Sequence, residues 1–298
     1  MQIIEKYKSF NSKEIQSGYR SKTFLLSNND IKYIYQTYRG NTKYQARKKE
    51  HITNLIKESI DIDEIPSIIE CDENEEFSYL VSEYKEGKEL EELIKDEKYD
   101  YKKFYKSLAA ILEKIHSIEI GDKFGWIGKN GLVEKQFFHQ YIEDEVQRNI
   151  ERIEKYDKEK LLLESITKKA NTSLEKLKSF KNIRPVISWY DINSNNILVN
   201  EQSKITGFLD PGGARFAPKE WDLAFIKMDL CRSKEEYEYF KNAYMQKNIL
   251  NEELLEILTI IVEIDDIAFQ LETGIKLPIA FETNFRQEIE YIHKECLK

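Results

Sequence analysis

The chain has 298 residues, 41% hydrophobic and 34% charged, with a formal net charge of −8. That apolar share excludes a disordered or collagen-like chain, and the length admits one large domain or two ordinary ones. The acidic balance argues against a nucleic-acid backbone or an anionic membrane as partner, since both need clustered positive charge, and it suits a cationic small molecule. Cys71, Cys231 and Cys296 are odd in number and far apart, so they form neither a disulfide framework nor a metal cluster, and a reduced, cytoplasmic setting is expected. Residues 1–9 carry Glu5, Lys6 and Lys8 in place of an apolar signal region, and the longest apolar stretch, 254–264, is broken by Glu256 and Glu263. A soluble protein is expected.

In chain order, β-branched and aromatic runs at 23–26 and 33–38 flank Ser27-Asn28-Asn29-Asp30, which predicts a β-hairpin. A loop with one glycine, Ser17-Gly18-Tyr19-Arg20-Ser21, precedes it. Ala46, Ile52, Leu55 and Ile56 mark a helix over 44–58, Pro66 closes the connection, and residues 77–81 read as another strand. Over 101–118, Phe104, Leu108, Ile111, Leu112 and Ile115 recur at three- and four-residue spacing, the stripe of an amphipathic helix. Helices over 138–156 and 161–179 carry Lys and Glu runs that read as solvated faces. Short strands occupy 186–209, and from Trp221 onward the pattern is helical again. The layout is a small β-rich lobe over residues 1–83, a connector near 82–87, and a larger helical lobe over 84–298.

The segment 186–200 runs from an apolar strand into the polar loop Trp189-Tyr190-Asp191-Ile192-Asn193-Ser194-Asn195-Asn196 and back into an apolar strand. Glu201-Gln202-Ser203-Lys204 is a polar turn, so 205–209 can return antiparallel to 197–199. Such a hairpin closes at the end from which it opened and places Asn196 near Asp210, with Asp191 on the adjoining loop. Two carboxylates and an amide oxygen at one loop edge suit a hard cation such as Mg²⁺ carrying phosphate groups. An isolated Asp-x₄-Asn is more often a pair of loop residues making local turn bonds. What lifts this one is its order with Asp210-Pro211-Gly212 and Trp221-Asp222-Leu223-Ala224.

Together these motifs resemble the aminoglycoside phosphotransferase family, whose relatives include choline, homoserine and fructosamine kinases. Leu80-Val81-Ser82-Glu83-Tyr84-Lys85-Glu86-Gly87 is similar to that family's hinge, and Leu108 to Ser117 to the helix after it. The resemblance implies a bilobal, protein-kinase-like α+β fold with a small β-rich N-lobe that binds nucleotide and a larger, mainly helical C-lobe with the catalytic loop and substrate site. It implies transfer of the γ-phosphoryl group of ATP or GTP, with Mg²⁺, to a hydroxyl of a cationic small molecule such as an aminoglycoside. Asp191 would be the catalytic base, Asn196 and Asp210 the metal ligands, and the backbone around Glu83 and Tyr84 the seat of the base. Glu50 matches the helix glutamate that pairs a phosphate-binding lysine, and Asp222 the buttress of the catalytic loop.

Two features depart from the family. Gln36 stands where it has its strand lysine, and an amide supplies no charge. Lys32, two strand steps away on the same face, is the expected substitute, with Arg20 and Lys22 as further candidates. Trp189-Tyr190 stands where the family has His-Gly, and the indole is expected to brace the loop by packing. Glu263, Asp266 and Gln270 share one face of the C-terminal helix, a candidate site for ammonium groups or a plain acidic surface. His116, within an apolar stripe, reads as a satisfied core histidine. A metabolic kinase of choline, sugar or homoserine type and a nucleotide-binding pseudokinase remain the alternative readings.

Overall fold

The computed structural model describes residues 4–17, 21–96, 98–128, 131–157, 162–277 and 279–296. The chain divides into two compact units, one built from Met1–Asp100, Ile127–Leu132 and Ser194–Ala214, the other from Tyr101–Trp126, Val133–Asn193 and Arg215–Lys298. Gly18, in the loop before the hairpin, and Arg20, a candidate to reach phosphate, lie outside the described residues.

The first unit begins with strands β1 (Asn11–Ser17), β2 (Ser21–Asn28) and β3 (Ile31–Arg39), helix α1 (Tyr44–Ser59), and strands β4 (Ile68–Glu73) and β5 (Phe77–Glu83). The five strands form one antiparallel sheet in the order β1-β2-β3-β5-β4. The β2–β3 turn is where the Asn-Asn-Asp signal puts it, with Asn29 at φ 51°, a conformation asparagine tolerates well. Period-two alternation sends side chains of β3 to opposite faces. Tyr35 joins Phe24, Leu26, Phe77, Tyr79 and Val81 beneath Tyr7, and its ring stacks on that of Tyr79 at 5.5 Å. Tyr38 faces the other way and packs with Leu80 against Ala46 of α1. Gln36 shares that parity, so its side chain is delivered to the helix side of the sheet. Strand β1 carries no sequence signal because it is an edge strand: its one large apolar residue, Ile15, is 49% exposed.

Strand β6 (Lys88–Glu89) and helix α2 (Leu90–Lys95) follow the connector. The second unit then opens with α3 (Tyr101–His116), whose stripe Phe104, Leu108, Ile111, Leu112 and Ile115 is buried throughout. Strands β7 (Phe124–Gly128) and β8 (Gly131–Lys135), helices α4 (Phe138–Tyr156) and α5 (Leu163–Leu177), and strand β9 (Val186–Ser188) come next. The chain returns to the first unit for β10 (Ile197–Val199) and β11 (Ile205–Phe208), an antiparallel hairpin whose first strand also pairs with β6. Gly87 lies against this hairpin at φ 154°, where a Cβ would stand 2.5 Å from Thr206 Oγ1 and 3.2 Å from the Val199 carbonyl oxygen. Gly87→Ala is therefore expected to cost about 1–3 kcal/mol, read as a lower urea midpoint at unchanged slope.

The rest of the second unit is β12 (Arg215–Ala217), which pairs with β9 and β7, and helices α6 (Glu220–Phe225), α7 (Lys234–Met245), α8 (Glu252–Thr273) and α9 (Arg286–Tyr291). Helix α8 is its axis, packed by α4, α5 and α6. It is capped by Asn251, whose side chain accepts from Leu254 N, and stopped by Gly274 at φ 75°. Between α6 and α7 the chain takes one π-helical turn, Ile226–Leu230, which carries Asp229. Among the described residues no helix is long and apolar enough to cross a membrane.

Candidate active site

In the first unit the β10–β11 hairpin pairs Ile197 with Phe208, and Leu209 N donates to the Asn196 carbonyl oxygen at 2.8 Å. The backbone thus brings Asn196 beside Asp210, as the sequence pattern predicts. Asp210 adopts the left-handed conformation, φ 58° and ψ 72°, and its Oδ1 accepts from Gly212 N at 3.0 Å. A Cβ on Gly212 would lie 2.7 Å from Asp210 Oδ1 and 3.0 Å from Lys49 Cε, so glycine is what admits both side chains here.

Lys49 was not a sequence candidate. Its Nζ lies 2.9 Å from Asp210 Oδ1 and 3.4 Å from Gln36 Oε1, and 5.2 Å from the centre of the Tyr38 ring, with its side chain 6% exposed. Burial pulls the ammonium pKa down, but the Asp210 carboxylate and the Tyr38 hydroxyl together outweigh it and the net shift is upward. The ammonium therefore stays charged. The signal was available: Gln45, Lys49, Ile52 and Ile56 share the buried stripe of α1.

Successive helix residues point about 100° apart, so Lys49 meets β3 while Glu50 turns to β4, where it accepts from the Cys71 thiol. Glu50 also accepts from Arg47 at 2.9 Å. Gln36 is held by neutral partners, its amide donating to Thr23 Oγ1 at 3.2 Å and its carbonyl accepting from the Tyr38 hydroxyl at 3.0 Å. Lys32 does have the parity of Gln36, but four residues of strand separate the two by about 13 Å. It pairs with Glu86 at 3.0 Å over the Tyr84 ring, at the hinge end of β3. Lys22 lies 3.8 Å from Glu14. At the hinge, Glu83 N donates to the Ser67 carbonyl oxygen at 3.0 Å, and the Glu83 carboxylate accepts from Ser67 N and pairs with Lys85.

In the second unit Asp191 is exposed, with Asn193 Nδ2 donating to its Oδ1 at 2.6 Å. Its loop hangs on the fully buried carboxylate of Asp222. Oδ1 accepts from Ser188 Oγ (2.7 Å) and Tyr190 N (2.8 Å), and Oδ2 from Trp189 N (2.8 Å) and His116 Nε2 (3.0 Å). Because Nε2 faces a carboxylate it carries the hydrogen, leaving Nδ1 to accept from the Tyr244 hydroxyl at 2.7 Å. His116 is thus a core histidine with both nitrogens bonded, and Trp189 is fully buried.

Tyr190 sits at φ 73°, a conformation costly for a bulky residue. Three contacts hold it there: its hydroxyl donates to Asp265 Oδ2 at 2.7 Å, its ring lies 3.3 Å from the Arg215 guanidinium carbon, and Phe225 packs at 4.3 Å. Arg152 reaches the other oxygen of Asp265 at 3.2 Å. Beside them Asp229 and Asp266 form a hydrogen-bonded carboxyl pair, Asp266 half-buried and the Asp229 carboxyl crowded by protein although the residue reaches the surface. Desolvation, then the Asp191 and Asp265 charges, push Asp229 up to about 7, and Asp266 also lies well above the usual carboxylate range.

The acidic face expected on the last long helix therefore divides. Asp266 joins this cluster. Glu263 and Gln270 are each 1% exposed. Glu263 accepts from Asn284 N and Thr283 Oγ1, and Gln270 accepts from Leu277 N and lies 2.7 Å from His293 Nε2, so both pin the segment after α8. Asp229 and Asp265 take their place in the cluster.

The raised acid sets a pH dependence. A carboxyl whose pKa rises on folding contributes its full stability below the ordinary range near 4 and loses it as pH climbs to about 7. Burial moves Glu263 in the same direction, also to about 7. The melting temperature is expected to fall between pH 5 and 8, and Asp229→Asn to flatten that fall; an unchanged slope in thermal melts would contradict the assignment.

A polypeptide with these elements in this order has a protein-kinase-like α+β fold, with a β-sheet N-terminal region and a helical C-terminal region. The family described as the phosphotransferase enzyme family matches residues 12–252, and the chain belongs to it. No curated protein sequence matches. Among solved structures, the apo form of a thermostable mutant of aminoglycoside phosphotransferase APH(4)-Ia is similar with a TM-score of 0.67 and 16% identity, over 91% of this chain and 90% of that one. Spectinomycin phosphotransferase APH(9)-Ia, in complex with ADP and spectinomycin, aligns with a TM-score of 0.65 and 17% identity, over 95% of this chain and 87% of that one. A protein from Haemophilus somnus 129PT, provisionally named a fructosamine-3-kinase, aligns with a TM-score of 0.64 and 15% identity, over 97% and 91%. At these identities the structures establish the fold.

Proposed function

We propose that this chain is a small-molecule kinase that moves the γ-phosphoryl group of ATP or GTP to a hydroxyl of an aminoglycoside-like, cationic acceptor. The observation that carries the acceptor class is the carboxyl cluster of Asp229, Asp265 and Asp266 beside the exposed Asp191. Ammonium groups would find counter-charges there, and the proton shared by Asp229 and Asp266 would leave as the polycation arrives.

The donor set at the hairpin fits a magnesium ion. One carboxylate and one amide oxygen, Asp210 and Asn196, are too few for an all-protein cage, and Mg²⁺ is ordinarily held by one or two protein oxygens with waters and substrate phosphates. When bound it would neutralise phosphate charge. Asp191 would accept the proton of the acceptor hydroxyl as that oxygen bonds to the γ-phosphorus, while the bond to the bridging oxygen breaks and the nucleoside diphosphate leaves. Asn193, bonded to Asp191 Oδ1, would turn Oδ2 toward the hydroxyl. Asp222, through the amides of Trp189 and Tyr190, would hold the loop still.

The test is transfer of γ-labelled phosphate, with Mg²⁺, to a panel of aminoglycosides, choline, homoserine and sugars. Labelled aminoglycoside supports the proposal, and label on another acceptor alone moves the chain to the metabolic kinases. Gln36, bonded to neutral Thr23 and Tyr38, favours a second reading as a pseudokinase. Nucleotide binding with no labelled product from any acceptor would establish that reading instead.

A further inference from the structure

We propose that Lys49 of helix α1 is the cation that holds the donor phosphates in this chain, the charge having passed from the strand position of Gln36 to the facing helix. The inference rests on the reading of the chain as a nucleoside-triphosphate-dependent kinase. Its physical ground is the company that Lys49 keeps. The ammonium is buried, and its neighbours are the Asp210 carboxylate at 2.9 Å, the neutral Gln36 amide oxygen at 3.4 Å and the Tyr38 ring.

Asp210 is also the carboxylate best placed to hold a divalent ion, with its side chain 38% exposed while that of Lys49 is 6% exposed. A metal ion that takes this carboxylate leaves the ammonium facing an amide and a ring, without a counter-charge. A buried charge deprived of its partner is strongly unfavourable. A phosphate oxygen delivered with the same metal ion removes the conflict: the metal goes to Asp210 and the phosphate to Lys49. The Lys49–Asp210 pair is then the resting arrangement, and metal and triphosphate replace it in one exchange of partners.

Gln36 fits the new role. Its Oε1 accepts from Lys49 and Tyr38 while its amide nitrogen is spent on Thr23, so it steers the ammonium without competing for phosphate. The other lysine of β3, Lys32, is bound to Glu86 at the hinge end.

Two measurements on the full chain test this. Calorimetric titration of the non-hydrolysable analogue AMP-PNP with Mg²⁺ is expected to show at least tenfold weaker binding for Lys49→Met, unchanged adenosine binding, and recovery of most of the affinity in the exchange variant Gln36→Lys/Lys49→Glu. AMP-PNP affinity equal to wild type in a folded Lys49→Met protein overturns the assignment. The second measurement uses unmodified protein, so it does not depend on how the variants fold. An adenosine carrying a sulfonyl fluoride at its 5′ position is expected to sulfonylate Lys49, its nitrogen bonding to sulfur as fluoride leaves, at a site located by peptide mass spectrometry, with Mg²⁺–ATP protecting. Label on Lys32 or any other lysine overturns it. Wild-type protein that binds no nucleotide at all removes the kinase reading, and the role of Lys49 with it; wild-type binding that is indifferent to Lys49 removes the role alone.

Discussion

Asp191→Asn is expected to lower the turnover number about 10²–10⁴-fold while nucleotide affinity stays within about twofold, because general-base assistance is worth roughly that much. The replacement is isosteric and the side chain is exposed, so folding should be spared, and Asn193 can still donate to the remaining carbonyl oxygen. What disappears is the proposed proton acceptor and one negative charge. The second loss has its own signature: Asp191 is the largest charged contributor to the raised pKa of Asp229, so Asp229 should titrate lower in the variant. Single-turnover phosphoryl transfer with a saturating acceptor checks the rate, and thermal melts across pH check the coupling. Near-wild-type turnover in Asp191→Asn would strip that residue of its role.

The hairpin that gathers Asn196 and Asp210 was legible because it is local. Two apolar runs and a polar turn determine which residues end side by side, and the backbone bond from Leu209 to Asn196 is what that pattern implies. Lys49 was equally local, lying on the stripe with Ile52 and Ile56, but a lysine in a helix reads by default as solvated. Glu50 matches the family by resemblance, and one step of helix phase turns its carboxylate to Cys71 of β4 while Lys49 meets Gln36 of β3. The division of α8 was out of reach for another reason. A helix apolar on nearly every side is buried on nearly every side, so shared parity of Glu263, Asp266 and Gln270 does not say which face meets solvent. Which carboxyl stays open depends on Asn284, Thr283 and Asp229, supplied from other parts of the chain.

Tyr190 depends on distant partners in the same way. Nothing near it in sequence announces a left-handed residue, and a tyrosine where the resembling family has glycine looks like damage. Arg215 beneath its ring and Asp265 on its hydroxyl make the conformation tenable, and they link the backbone just before Asp191 to the carboxyl cluster. Strain of order 1–3 kcal/mol kept at such a place is more often functional than accidental. In this chain the residue that carries the strain also anchors Asp265, a member of the carboxyl cluster.

The support under that loop is exacting, and Asp222→Asn is expected to destabilise the protein by about 2–3 kcal/mol, the cost of leaving a buried donor without the charged acceptor it had. The argument is geometric. Each oxygen of Asp222 accepts one backbone N–H, Oδ1 from Tyr190 and Oδ2 from Trp189. Ser188 can rotate its hydroxyl and His116 can change tautomer, so those two donors would adapt to a side-chain amide. The backbone donors cannot. Whichever way the new amide is turned, its NH₂ group faces one of the two N–H groups at a site with 0% exposure, and that donor loses its acceptor with no water to replace it. The loss should appear as a lower urea midpoint and a lower melting temperature. It should also cost turnover beyond what instability explains, since Tyr190 N and Trp189 N immediately precede Asp191. An Asp222→Asn protein that melts within about 1 kcal/mol of wild type would mean the loop is held by something other than this carboxylate.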